Sequence, residues 1–151
     1  MKINFTKKEY PLLLEMITMA NWMLHSRCID EDSRQKEHDT LRNKILSHYK
    51  EFAAEDLVEA GEEPDEYYES NKLMDHVHRN FISSYDEETF WDELTDRLAM
   101  RDVVRTLGED QYVALDGIDR ITKVEDAKKP YSNEFERHGL ENVIIKLSTE
   151  K

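Results

Sequence analysis

The side chains best suited to chemistry in this 151-residue sequence are its six histidines, which invite comparison with metal sites. Asp75, His76 and His78 lie close together, and the three-residue spacing of Asp75 and His78 places two ligands on one face of a helix. His76 points away from His78 on such a helix, so the three residues cannot ligate one ion unless the helix unwinds. A hydrogen-bonded His78, partly buried beside Val77, is therefore the simpler interpretation.

The dipeptide of His38 and Asp39 resembles the metal-binding pair of the HD phosphohydrolases. In that family the pair binds a metal together with an upstream histidine and a distant aspartate. The nearest upstream histidine here is His25, only thirteen residues earlier, and no apolar helix continuation follows Asp39. A metal-dependent hydrolase is therefore the alternative hypothesis, with ligands drawn from His25, His38, His48, His76 and His78.

Other catalytic sets are incomplete. The sequence contains no pair of Glu-x-x-His segments for a di-iron bundle, no glycine-rich phosphate loop, no serine elbow and no HExxH motif. Cys28 is the only cysteine, so it can form neither an intramolecular disulfide nor a zinc–cysteine cluster. No signal-peptide pattern and no apolar run near the ~20 residues of a membrane span is present. The sequence predicts no catalytic residue, no metal, no cofactor and a cytoplasmic location.

Two acidic segments suggest a binding function instead. The formal charge of −13, from 34 acidic residues against 21 Lys and Arg, opposes direct binding to nucleic acid and to anionic membranes. Residues 55–69, EDLVEAGEEPDEYYE, hold eight acids and no base, and Gly61 and Pro64 predict a loop. The second segment, residues 86–96, holds six acids. Such charge runs are also typical of a merely solvated face.

We predict that the first segment binds a basic protein. An electronegative surface can resemble a phosphate backbone to such a partner, and tyrosines are enriched at protein interfaces. The predicted binding residues are Glu59, Glu62, Glu63, Asp65, Glu66 and Tyr67. Tyr67 also has a structural interpretation, because loop tyrosines often cover the edge of a core.

The helices that position these residues are organised around residues 6–27. Thr6 and Glu9 have the spacing of a capping box, and Pro11 is expected to bend or tighten the first turn. Two apolar stripes run along this helix: Tyr10, Leu13, Leu14, Ile17 and Leu24 form the first, and Leu12, Met16, Met19 and Met23 form the second. Two of its three faces are therefore predicted to be buried, which makes it the central helix.

Further helices are predicted at about residues 33–53, 70–84, 87–107, 110–115, 118–128 and 133–138. The second helix should bury one stripe, flanked by Leu46 and Ala53, which consists of His38, Leu41, Ile45, Tyr49 and Phe52. Ser33 or Asp32 is expected to cap its start.

Three later positions decide how the last helices are divided. The helix that ends before Gly108 should either break near Ala99 or pair Arg101 with a carboxylate, because an unpaired buried guanidinium is very costly. Pro130 is expected to end the penultimate helix, and Gly139 to end the last one.

The two ends of the sequence alternate in the manner of strands. Ile3 and Phe5 share one side of residues 2–6, and Val143, Ile145 and Leu147 share one side of residues 142–147. A two-stranded ribbon is marginal alone, so its apolar side should face the helices. Because only four glycines and three prolines are present, we predict one mainly α domain over residues 1–151. It is a compact helical bundle around the central N-terminal helix, with a small two-stranded β ribbon formed by the N- and C-terminal segments.

The blocks FTKKEYPLLLEMITMANWML and TFWDELTDRLAMRDVVRTLG are similar to a group of small acidic bacterial proteins of unknown function. The resemblance covers most of the chain, from the first helix to the strand expected after Gly139. Its motifs are packing motifs, so it implies no activity. The leading hypothesis is therefore a non-catalytic cytoplasmic protein that acts in protein–protein interaction or regulation.

Overall fold

The computed structural model of the chain describes residues 2–26 and 33–146. Its helices are α1 (Glu9–His25), α2 (Ser33–Leu46), α3 (Asn71–Val77), α4 (Ser83–Leu107), α5 (Glu109–Ala114) and α6 (Gly117–His138), with a π-helical turn at His78–Ile82. Two strands, β1 (Val58–Ala60) and β2 (Tyr67–Glu69), form one antiparallel sheet. The predicted mainly helical class with a small two-stranded sheet is therefore confirmed.

The chain divides into two compact units, Met1–Tyr85 and Asp86–Lys151, which are described separately. A single domain over residues 1–151 stays a prediction. Cys28, Asp32 and Leu147, together with the side chain of Ser33, lie outside the described part of the chain. Within the described ranges, no helix has both the length and the apolar character that a membrane span requires.

The capping box predicted for the first helix is confirmed. The Thr6 amide donates to Glu9 Oε2 at 2.8 Å, and the Glu9 amide donates back to Thr6 Oγ1 at 3.3 Å. This carboxylate accepts bonds from Thr6, which lowers the pKa of Glu9. Pro11 has no N–H to donate to the carbonyl of Lys7. The regular helix begins at Glu9, two residues after Lys7.

Only one stripe of α1 is buried. Tyr10, Leu14 and Thr18, spaced four residues apart, are at most 7% exposed, and α1 packs on α2 and α3. The predicted second buried stripe is wrong for three residues, since Leu12 is 57%, Met16 64% and Met23 65% exposed. A single stripe of residues spaced four apart is enough to contact two neighbouring helices. The apolar surface of α1 is therefore wider than the part of it that is buried.

The buried side of α2 also differs from the predicted stripe. Of the predicted stripe, Tyr49 is 8% exposed, but His38 is exposed and Leu41 is 56% exposed. Leu46, expected to flank the stripe, is fully buried, and Gln35, outside it, is 7% exposed. Gln35 Nε2 donates to the Leu24 carbonyl at 3.1 Å, which satisfies part of this buried amide. The helix ends at Leu46, not near residue 53, and turns follow it.

Tyr10 joins the first two helices at the centre of the first unit. Its hydroxyl donates to the Ile45 carbonyl at 2.7 Å, at the end of α2, and its ring stacks on Phe52 with centroids 4.3 Å apart. Burial of the ring, assisted by the Glu51 carboxylate, raises the pKa of Tyr10 from 10 to about 12. The folded state therefore disfavours the phenolate.

This shift predicts a loss of stability at high pH. The unfolding free energy contributed by neutral Tyr10 should be intact below pH 10 and should fall by about 2 to 3 kcal/mol as the pH rises to about 12. Urea unfolding at pH 8, 10 and 11.5, compared with Tyr10→Phe, measures it. The variant should lose about 1 kcal/mol at pH 8 with its hydrogen bond, yet show a shallower fall above pH 10. Parallel pH profiles for the two proteins would contradict the assignment.

The two-stranded sheet lies at a different place from the predicted one. β1 pairs with β2 in the register Val58 with Glu69 and Ala60 with Tyr67, inside the segment predicted as a loop. Residues 2–6 and 142–146 contain no strand, and Ile3 is 66% exposed. The ribbon of the two termini is therefore wrong. A hairpin closes a short loop at a small entropic cost, whereas pairing the chain ends requires a far longer closure.

The second half of the molecule is built on α4 and α6. α4 does not break at Ala99, which is fully buried. Arg101 lies next to a carboxylate, as predicted: its Nε donates to Asp102 Oδ1 at 2.7 Å, and its Nη2 donates to the Tyr131 hydroxyl at 3.2 Å. The guanidinium is more exposed than predicted, and its pair with Asp102 lies on α4 at the surface. The Tyr131 hydroxyl, bonded to both Arg101 and Asp102, links this pair to α6.

α6 is one helix where two were predicted. Asp116 caps its start by accepting the Asp119 amide at 2.8 Å, and Gly139, with φ of +54°, follows its end as predicted. Pro130 lies inside the helix and removes one hydrogen bond without ending it. Phe135, 9% exposed, packs against Trp91 beyond the proline, and this contact favours continuation of the helix.

Candidate functional site

The predicted binding residues lie on the acidic hairpin, residues 58–69, which consists of β1, the turn of residues 61–66 and β2. Tyr67 is partly buried and packs against Tyr49 with ring centroids 5.9 Å apart, so it contributes to the core. The carboxylates are exposed or half-buried on the same hairpin: Glu59, Glu62, Glu63, Asp65 and Glu66. The structure thus brings the five acids together and separates Tyr67 from them in role.

Asn43 and Gly61 fix the shape of this turn. Asn43 Nδ2 donates to the Asp65 carbonyl at 2.6 Å, and Asn43 Oδ1 accepts the Tyr67 amide at 2.8 Å, which ties the hairpin to α2. The Gly61 amide donates to the Glu66 carbonyl at 2.7 Å. A Cβ at Gly61 would lie 2.6 Å from Glu66 Oε2 and 2.9 Å from the ring of Tyr68, so a larger residue here would displace these two side chains. The acidic hairpin is therefore held in one conformation.

A buried ion pair anchors the end of β2. Glu69 is 6% exposed, and Arg42 on α2 binds it with two donors: Nε to Oε1 at 2.8 Å, and Nη2 to Oε2. The hydrogen bonds that Arg42 donates to Glu69 raise the pKa of Arg42. Such a two-point pair fixes orientation as well as charge. Glu69, an acid of the predicted binding segment, is therefore structural.

No described basic side chain neutralises the five hairpin carboxylates, of which four are exposed and Glu66 is half-buried. Among the side chains that the structure describes, none of the five forms an ion pair, whereas Asp56, just before β1, is bound by Lys72. A hydrogen bond with Glu66 raises the pKa of the neighbouring Tyr68. Like charges on one short hairpin repel each other, so a cationic partner would be attracted.

The predicted cluster of Asp75, His76 and His78 does not form a metal site. Asp75 pairs with Arg79 at 3.0 Å, and His76 Nε2 lies 3.3 Å from Glu15 Oε1. His78 is exposed, not partly buried as predicted, and its Nδ1 lies 3.0 Å from the Ser83 hydroxyl. The π-helical turn begins at His78 and shifts the helix phase, which explains this difference.

The structure does bring His25 and Asp39 together, which sequence spacing argued against. His25 Nε2 lies 3.5 Å from Asp39 Oδ2, while His48 pairs with Glu51 at 3.0 Å. Residues 2–26 and 33–146 contain no group of three or more possible ligands. A catalytic zinc site uses three protein ligands, so this pair falls one short within those residues.

A groove in the second unit is the feature that sequence reasoning missed. It lies between α4 and α6 and has a volume of about 550 Å³. Its lining combines two aromatic rings, four carboxylates, two hydroxyls and one ammonium: Trp91, Asp92, Thr95, Asp96, Glu125, Lys128, Ser132, Phe135 and Glu136. Each aromatic residue is followed directly by an acid in the sequence, which was the available signal. Because a break was expected at Pro130, the sequence did not predict that the lining residues on either side of it share one helix.

Lys128 is the one basic residue in the lining of this groove. Its Nζ lies 2.6 Å from Asp96 Oδ1 and 2.7 Å from Glu125 Oε1, and the bond to Asp96, reinforced by Glu125, raises the pKa of Lys128. Because two carboxylates already bind this ammonium, it joins α4 to α6 and leaves the groove with an excess of negative charge.

Comparisons with known proteins found no match for this chain. No protein-family model matches the chain. No curated protein gives a significant match, and no solved structure does so. The resemblance to small acidic bacterial proteins therefore stays a prediction.

Proposed function

We propose that this chain is a non-catalytic interaction module that binds a basic segment of a partner protein through the acidic hairpin. The observation that supports this most is the combination of five carboxylates without an ion pair, among described side chains, and a turn tied to α2 by Asn43. We also place the interaction in the cytoplasm, because the sequence has a single cysteine.

Preorganisation gives this surface an advantage over a flexible acidic tail. A binding segment that is already ordered loses less conformational entropy on association. The Asn43 bonds and the pair of Arg42 with Glu69 provide that order. Complementary charge then speeds encounter and selects against acidic competitors. Tyr68, 45% exposed beside the carboxylates, offers an amphipathic contact for the aliphatic part of a lysine or arginine.

Neutralisation of the hairpin tests the proposal. The variant carries Glu59→Gln, Glu62→Gln, Glu63→Gln, Asp65→Asn and Glu66→Gln. The amount of basic protein captured from lysate of the source organism should fall at least about tenfold relative to the wild type. The reason is that several attractive charges are removed together. Capture is quantified by mass spectrometry at about 0.05 and 0.5 M salt, since screening should release the same protein from the wild type.

A matched control separates the hairpin from net charge. It removes the same number and kinds of acids at exposed positions outside the hairpin: Glu37→Gln, Glu87→Gln, Glu109→Gln, Glu141→Gln and Asp110→Asn. The control should capture the partner like the wild type, and both variants should keep the wild-type circular dichroism spectrum. Equal capture by the hairpin variant and the wild type would sink the proposal.

A metal-dependent hydrolase is the second candidate, favoured by the 3.5 Å approach of His25 to Asp39. Elemental analysis of protein purified without a histidine tag tests it. A stoichiometric metal that is lost in His25→Ala would support the hydrolase. A metal-free preparation that binds no added Zn²⁺, Mn²⁺ or Fe²⁺ would remove it.

A further inference from the structure

We propose that the groove between α4 and α6 binds the guanidinium group of an arginine side chain presented by a basic polypeptide. The site lies wholly in the second unit, and none of its residues belongs to the acidic hairpin. It is therefore a second binding site, which can be tested separately from the hairpin.

Two aromatic rings provide a surface for a flat cation. The rings of Trp91 and Phe135 lie 5.4 Å apart at an angle of 40°, and both line the groove. Phe135 is buried at 9% exposure, whereas Trp91 is only partly buried and presents part of its indole. Indole is the best aromatic partner for a cation, and a guanidinium can stack on it as well as attract its π electrons.

Two unpaired carboxylates flank these rings. Asp92 follows Trp91 on α4, and Glu136 follows Phe135 on α6, and both are exposed. Neither forms a hydrogen bond or ion pair with a described residue, unlike the carboxylates that bind Lys128. Planar carboxylate and guanidinium groups match in geometry, so each acid can accept two parallel N–H bonds.

Thr95 gives an independent indication of a polar ligand. It is 8% exposed and lines the groove between the acids, yet its hydroxyl has no hydrogen-bond partner among the described residues. Thr18 and Thr106, on α1 and α4, each donate instead to the carbonyl four residues earlier. The Thr95 hydroxyl is not fully enclosed, so a group in the groove can reach it. A guanidinium N–H in the groove can donate to this hydroxyl, which has acceptor lone pairs.

Charge and length favour a side chain over a free amino acid. Lys128 lies seven residues before Phe135 on α6, about 10 Å along the helix, and its two bound carboxylates hold it there. Asp92 and Glu136, which pair with none of the residues that the structure describes, add negative charge beside the aromatic rings. An arginine with blocked ends brings the guanidinium as its only charge, whereas free arginine also brings an α-ammonium and an α-carboxylate, and these acids repel the carboxylate.

The test is a titration of the ¹⁵N-labelled full chain with N-acetyl-Gly-Arg-Gly-amide, followed by NMR at about 0.15 M salt, where long-range attraction is screened. We expect the Trp91 indole and Thr95 amide signals to shift and saturate in the millimolar range, which is ordinary for one side chain. The Trp22 indole, in the first unit, is the internal reference. The matching citrulline peptide, neutral but of the same shape, should give no saturable shift.

Four variants assign the binding to the groove. Asp92→Asn with Glu136→Gln should weaken the arginine peptide about five- to twentyfold, whereas the charge-matched pair Asp110→Asn with Glu109→Gln should change it less than about twofold. Thr95→Val should weaken binding about threefold without lowering the melting temperature, because it removes a hydroxyl that has no internal partner. The neutralised hairpin variant should bind the peptide like the wild type, so failure here is distinct from failure of the proposed function.

Three results would overturn the inference. One is a Trp91 indole that does not respond while the rest of the chain does. Another is equal affinity for the citrulline and arginine peptides. The third is equal weakening by the groove pair and the charge-matched pair, which would show diffuse attraction to an acidic protein only.

Discussion

Leu14→Ala is expected to lower the free energy of unfolding by about 3 to 5 kcal/mol, because it leaves a cavity in the first unit as well as removing apolar contacts. Leu14 is fully buried on α1 and belongs to a cluster with Tyr10, Leu46 and Val77. Urea unfolding monitored by circular dichroism measures the loss. It should appear as a lower midpoint at an unchanged slope, since the exposed area of the unfolded chain is the same.

Leu12→Ala is the matched control on the same helix. Leu12 is 57% exposed, so the same change should cost about 0.5 kcal/mol or less. Both substitutions alter helix propensity by the same small amount, and the difference between them therefore reports burial alone. A large loss at Leu12 would contradict the single buried stripe and would mean that something covers the second stripe in solution.

The sequence predicted best where the cause of a structure is local. Thr6 and Glu9 form their capping box, and Gly108 and Gly139 follow the ends of α4 and α6 with positive φ. The third helix was predicted to begin at about residue 70, and Ser70 caps α3 there by accepting the Leu73 amide at 3.3 Å. Each of these depends on a few neighbouring residues and on backbone groups that every helix end leaves unpaired. Local chemistry therefore sufficed to place them.

Burial could not be predicted in the same way, because it depends on which elements meet. Apolar periodicity marks every stripe that could be buried, and Met16 and Leu41 obey it while remaining exposed. Gln35 and Glu69 break the pattern and are buried, since Leu24 and Arg42 supply their hydrogen-bond partners. Polar residues are buried in this way because they pair with residues of other elements. A short window of sequence does not contain those partners.

The candidate sites show the same division. The acid content of residues 55–69 identified the charged surface, but the hairpin depends on Asn43 from α2, outside that window. The groove combines Trp91 and Phe135 from two helices, and it forms only because α6 continues past Pro130. Composition therefore predicts the sign of the charge on a surface, whereas the shape of that surface depends on contacts between distant segments.

The second large effect is expected at the buried ion pair. Arg42→Met should lower the free energy of unfolding by about 3 to 5 kcal/mol, because it leaves the Glu69 carboxylate, 5% exposed, without its partner. Lys72→Met is the control: it breaks the pair with Asp56, in which both side chains are more than half exposed, and should cost about 1 kcal/mol or less. Guanidinium chloride screens charge, so the comparison is made by urea unfolding.

The double replacement of Arg42→Met with Glu69→Leu decides whether the cost arises from the unpaired charge. It should be markedly less destabilising than Arg42→Met alone, because removing both partners leaves no buried charge to desolvate. Amide exchange at Tyr67, whose N–H donates to Asn43, should accelerate in Arg42→Met and stay unchanged in Lys72→Met. A double variant as unstable as the sum of its singles would show instead that Arg42 acts through packing of its aliphatic stem, and the acidic hairpin would then owe its fixed shape to Asn43 and Gly61 alone.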